Sequence, residues 1–116
     1  MASQPIPVAQ ANAMIAQYLA YMNSLGVDMK TQTHCICYDS AAFSKWINAV
    51  QPYADEFRIC EGVYPEGFVQ AGHLTAIIWP YKDGKPAVIP KDINLGGGLQ
   101  DPDGTINPFN DGKTLP

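Results

Sequence analysis

Three cysteines and two histidines are the residues of this chain best suited to metal or nucleophilic chemistry: His34, Cys35, Cys37, Cys60 and His73. Thiolates and imidazoles are the usual zinc ligands, and structural zinc sites take them two to four residues apart across a turn so that they converge. Cys35 and Cys37 instead fall inside a strand-forming run, residues 31–38 (TQTHCICY). There they share one face with side chains about 7 Å apart, and His34 points the other way. A metal centre built from Cys35, Cys37, Cys60 and His34 is therefore the weaker reading, and small core thiols the preferred one. Cys60 with His73 as its base would form a nucleophilic pair if the strands that carry them are in register. Cys60 lies mid-strand between Ile59 and Glu61, a poor place for an activated thiolate or an arriving substrate. No catalytic residue is assigned.

Arg58 is the more informative polar residue. It sits inside an alternating apolar run with parity opposite to Phe57 and Ile59, so it projects onto the sheet face shared with Cys60. A strand arginine can pair with a carboxylate such as Asp55 or Glu61, or bind an anionic ligand through two parallel hydrogen bonds. The ion-pair reading is preferred. If the chain binds a small ligand, the surface formed by Arg58, Tyr64, His73 and Trp79 is the candidate. Asp101-Pro102-Asp103-Gly104-Thr105 opens like a calcium loop, but Ile106 and Gly112 stand where glycine and an acidic residue are required. Gly96-Gly97-Gly98 lacks the strand-to-helix setting and the following Lys-Ser/Thr of a phosphate loop. Both read as turns, and no cofactor is expected.

These residues need elements to hold them. Apolar residues at Ala11, Ile15, Tyr18, Met22 and Leu25 follow helical steps and predict a helix over residues 8–25, with Met14 and Leu19 widening its core stripe. Gly26 is its expected stop. After the strand at 31–38, Asp39 or Ser40 caps a second helix, in which Phe43, Trp46, Ile47 and Val50 form one stripe before Pro52 ends it. Residues 57–64 and 73–81 are alternating strands. Lys82-Asp83-Gly84-Lys85 carries a hairpin turn, and Pro86 begins a short edge strand. The expected fold class is α+β: two helices packed on one face of a three- to four-stranded mainly antiparallel sheet, with a turn-rich C-terminal tail. Residues 1–90 form the domain. Residues 91–116 are a tail packed on it or partly disordered, with Ile93, Leu95, Leu99, Ile106 and Phe109 available to pin it to the second sheet face.

On the second strand Leu74, Ala76 and Ile78 point one way, and Thr75, Ile77 and Trp79 the other. Neither set is polar, so both sheet faces need cover. The simplest cover for the second face is a second copy of the chain.

Three stretches resemble a family of short uncharacterised bacterial proteins: residues 11–18 (ANAMIAQY), 57–64 (FRICEGVY) and 74–78 (LTAII). The likeness spans residues 6–89 and implies a helix, strand, short helix and two further strands, with no activity to carry over. Members of that family often end in a Cys/Pro-rich tail, whereas this chain ends in Gly, Asp and Asn.

Composition narrows the function. The chain has 116 residues, a length for one domain, with 47% hydrophobic and 16% charged residues. The charged share is below the usual ~25%, which suits a protein that hides surface in an assembly. A net charge of −4, with seven dispersed Lys and Arg, argues against nucleic acid. No basic start precedes the first helix and no apolar run approaches a membrane span, so neither a signal peptide nor a membrane partner is expected. An odd cysteine count points to free thiols and the reducing cytoplasm. The chain reads as an interaction module, most simply a homodimer. A small-ligand protein or enzyme at the Arg/Tyr/His surface is the alternative.

Overall fold

The computed structural model describes residues 3–68, 71–110 and 113–115. The fold is α+β, with two helices beside a three-stranded antiparallel sheet and a separate two-stranded ribbon. Helix α1 spans Val8–Ser24. Pro7 precedes it with φ −59°, a value already close to helical, and no side chain caps its first turn. At its far end Gly26 adopts φ +83°. The Gly26 N–H donates to the Asn23 carbonyl and the Val27 N–H to the Met22 carbonyl, which together close the last turn. Strand β1 is Cys35–Cys37. Helix α2 runs Ser40–Val50, and the Asp39 carboxylate accepts from the Ala42 N–H at 2.8 Å, as the capping pattern predicts. A single 3₁₀ turn, Gln51–Tyr53, carries Pro52 and turns the chain into the sheet.

Strands β2 (Glu56–Val63) and β3 (Leu74–Lys82) pair antiparallel from Glu56–Tyr81 to Val63–Leu74, with Arg58 opposite Trp79, Ile59 opposite Ile78 and Cys60 opposite Ile77. Asp83 and Gly84 take φ of +53° and +77°, both positive as a two-residue hairpin turn requires. This turn leads into β4, Lys85–Pro86. Beyond β4 the tail is built into the sheet. Val88 bridges Thr105, Gln100 bridges Ile106, and Phe109 bridges Ile78 on the open edge of β3. Strand β5 (Lys113–Leu115) returns to pair with β1. The turn expected at Asn110-Asp111-Gly112 lies partly outside the described residues.

The core is Trp46 and Val50 of α2, Ile78 of β3, and Ala87, Ile89 and Ile106 from the segments after β4. Phe57, Leu95, Leu99 and Phe109 pack around it. Phe43 meets Phe109 and Trp46 meets Phe57 edge to face, and the Trp46 and Phe109 rings lie tilted with centroids 5.1 Å apart. The tail apolar residues therefore close the same sheet face as α2, not the second face. The register decides this: Phe109 pairs directly with Ile78, and directly paired residues share a face.

The helices differ in what they bury. α2 supplies two core residues, whereas α1 contributes no buried side chain. Met14, Ile15 and Tyr18, expected in a core stripe, are exposed. Helical spacing reports an apolar face without saying what covers it. Among the described residues no helix is long and apolar enough to cross a membrane.

Candidate functional site

β2 and β3 place Arg58 and Trp79 side by side on the face away from α2, as alternation and register require. Tyr81 and Glu56, paired one step along, complete the group. The guanidinium lies over the Tyr81 ring at 3.9 Å from its centroid, a cation–π contact. Its Nε and Nη2 both donate to Glu56 Oε1 at 2.8 Å. That hydrogen bond, more than any other influence, holds the Arg58 guanidinium above its ordinary pKa. The partner carboxylate is Glu56, not Asp55 or Glu61. Asp55 accepts from the Asp83 N–H, and Glu61 sits opposite Ala76 on the other face. An arriving anion would compete with Glu56 for a guanidinium whose flat side is already against a ring.

Tyr64 and His73 do not join this group. They face each other just beyond the far end of the hairpin, where the Tyr64 N–H donates to the His73 carbonyl. Six residues of extended chain separate Tyr64 from Arg58, about 20 Å. Tyr64 is buried beside the Phe68 ring, and His73 Nδ1 lies 3.4 Å from the Thr33 hydroxyl. The four-residue ligand surface expected from sequence thus divides into two sites. Alternation pairs Arg58 with Trp79 on one face, but Tyr64 and His73 lie outside the paired strands and far along the chain from them.

Cys35, Cys37 and Cys60 are free and exposed, so none is the core residue expected. Cys35 and Cys37 sit together on β1. Desolvation first, and then its neighbour Cys37, push the Cys35 thiol above its ordinary pKa, opposite to what a nucleophile needs. The His34 imidazole is engaged by the Met29 carbonyl through Nε2. Cys60 lies opposite Ile77, four residues from His73, about 13 Å along the strand. Among the described residues no three His, Cys, Asp or Glu side chains gather closely enough to hold a metal ion.

Sequence reasoning passed over the apolar surface left open on α1 and on the α2 side of the sheet. Along α1, Val8, Met14, Ile15, Tyr18 and Tyr21 are exposed, Ile15 at 59%. The first charged residue in the chain is Asp28, so this helix bears no charge anywhere. On the α2 side of the sheet, Ile59 is 71% exposed, and Val63 and Leu74 are also exposed. Ile59 and Leu74 border a shallow groove of about 180 Å³ between β1 and the β2–β3 hairpin. The lack of charge before residue 28 was the available signal. No family model, curated protein or solved structure matches the chain.

Proposed function

We propose that this chain is a non-enzymatic interaction module that closes its uncovered apolar surface against a second copy of itself. The observation that carries the reading is α1, an uncharged helix with no buried side chain. An isolated helix of this length is marginal in water, and packing of its apolar face is what normally stabilises it. The exposed area supports the same conclusion. The chain exposes 8509 Å², about 2,300 Å² more than is typical of a compact monomer of this mass. A standard interface takes about 800 Å² from each partner. The second sheet face, where Ile77, Trp79 and Tyr81 are half-buried, is the other surface that a partner would cover. Three free cysteines support a reducing compartment, and the cytoplasm is the proposed location. The alternative, an anion site at Arg58, is disfavoured by the Glu56 ion pair.

Sedimentation over a range of micromolar concentrations tests the proposal. A dimer is expected, and Ile15→Glu with Tyr18→Glu should dissociate it while leaving α2 and the sheet folded. A wild-type chain that stays monomeric at high micromolar concentration would end it. A dimer indifferent to the α1 changes but broken by Ile77→Glu would transfer the contact to the second sheet face.

A further inference from the structure

We infer that the cleft between α2 and the glycine loop binds a small aromatic or aliphatic monocarboxylate. The cleft has a volume of about 390 Å³, within the range of small-molecule pockets. Its origin is visible in the sequence of α2. Ala42, Lys45, Trp46 and Ala49 fall at i, i+3, i+4 and i+7, so all four line one side of the helix, and the two alanines leave room where larger residues would fill the space. Trp46 and Phe109 form an aromatic wall, and Leu95 and Leu99 face it.

The opposite wall is held in place by its own hydrogen bonds. Gln100 accepts from the Leu95 N–H and donates to the Ile93 carbonyl. Asn94 accepts from the Gly96 N–H, Leu99 N–H donates to the Gly96 carbonyl, and Asn107 donates to the Gly98 carbonyl. Gly96, Gly97 and Gly98 all take positive φ, +67°, +61° and +73°, a path that side-chain-bearing residues rarely follow. Such a wall needs little ordering when a ligand arrives.

Chemistry selects the ligand. Lys45 is the charged side chain of the lining, it makes no ion pair among the described residues, and no carboxylate lines the cleft. A cation or a polyhydroxylated sugar would find apolar walls and no acceptor side chain. A phosphate would meet a single lysine and no arginine, less than phosphoryl recognition normally uses. An apolar body with one negative charge satisfies both the walls and Lys45. Neither the Cys/His set nor the Arg58 surface contributes, and the site is independent of the proposed dimer contact.

The experiment is an amide-resolved NMR titration of the full chain with naphthoate and, separately, with the neutral naphthylmethanol. Saturable shifts at Gly96, Gly97 and the Trp46 indole are expected for naphthoate at up to low-millimolar concentration. Lys45→Gln should weaken naphthoate by about tenfold, as for loss of a charge-assisted hydrogen bond, and leave naphthylmethanol unchanged. Ala49→Leu should abolish both by filling the cleft. Lys45→Gln lies on an exposed position and keeps the test decisive if Ala49→Leu disturbs the fold. Shifts confined to α1, no saturable shift at Gly96 and Gly97, or a Lys45→Gln affinity equal to wild type would each overturn the inference.

Discussion

Gly104 shows how one position can govern the tail. Its φ is +93°, and a Cβ added there would lie 2.8 Å from the Ile89 carbonyl oxygen. That carbonyl cannot move freely, because the Ile89 N–H donates to the Gly104 carbonyl and Ile89 is fully buried. Gly72 has a similar φ, +83°, with open space around it. The left-handed backbone alone costs a side-chain-bearing residue about 1–2 kcal/mol. Gly104→Ala adds a backbone clash and should cost about 3 kcal/mol or more, against about 1 kcal/mol for Gly72→Ala. Urea unfolding of the two variants checks this, and equal losses would contradict it. One residue earlier, Asp103 accepts from the Thr105 N–H at 2.9 Å, and this bond holds its carboxyl below the usual range. A depressed folded pKa contributes stability above the unfolded value of about 3.9 and loses it as pH falls further. Asp103→Asn should therefore flatten the acid limb of the stability–pH curve below about pH 4, and parallel curves would refute the assignment. The Asp-Pro-Asp-Gly string could be read as a turn. That its glycine abuts a carbonyl fifteen residues upstream depends on a non-local pairing that no local pattern encodes.

The elements divide by what they bury. α2 and the tail segments around Ala87, Ile89, Ile106 and Phe109 form one packed layer on the sheet, whereas α1 stands outside it. Truncation after Pro90 would remove Ile106, which is 0% exposed, together with the Phe109 bridge to β3. The shortened chain should lose cooperative unfolding, because deleting a single buried isoleucine side chain already costs about 2–5 kcal/mol. Native-like thermal melting of residues 1–90 would show the tail to be dispensable. Ala16→Pro makes the opposite case. Proline inside a helix costs about 3 kcal/mol, so α1 should melt and its helical circular dichroism should fall. At a concentration low enough for the wild-type chain to be monomeric, the unfolding midpoint followed by tryptophan fluorescence should stay put, since α1 gives the core no buried side chain. A lowered midpoint would mean that α1 supports the core. Both helices, the hairpin and its Asp-Gly turn were legible because they rest on short-range spacing. The role of α1 was not, because an apolar stripe looks the same whether its cover comes from its own chain or from another. The tail was misplaced for a related reason: its five apolar residues were visible, but only the Phe109–Ile78 pairing fixes which sheet face they close.

At the scale of the whole molecule, shape and charge point the same way. The radius of gyration is 16.8 Å and the longest extent 52 Å, where a compact domain of this length would have a radius of about 13 Å. Each chain carries a net charge of −4, so two copies repel at long range, yet every charged side chain lies at or beyond Asp28. An encounter through α1 brings together only uncharged surface, and the residual repulsion between the bodies is screened by salt over about 10 Å at 0.1 M. Self-association should therefore hold or tighten as sodium chloride rises from about 0.05 to 0.5 M, and sulfate should tighten it further by exclusion from apolar surface. A contact built on ion pairs such as Arg58–Glu56 would behave in the opposite sense, because added salt weakens exposed charge pairs. Burial of apolar area should also give association a negative heat-capacity change. Sedimentation equilibrium at two salt concentrations, with dilution calorimetry at two temperatures, separates the cases. Salt-driven dissociation, or a heat-capacity change near zero, would move the contact away from α1 and onto the charged rim of the second sheet face.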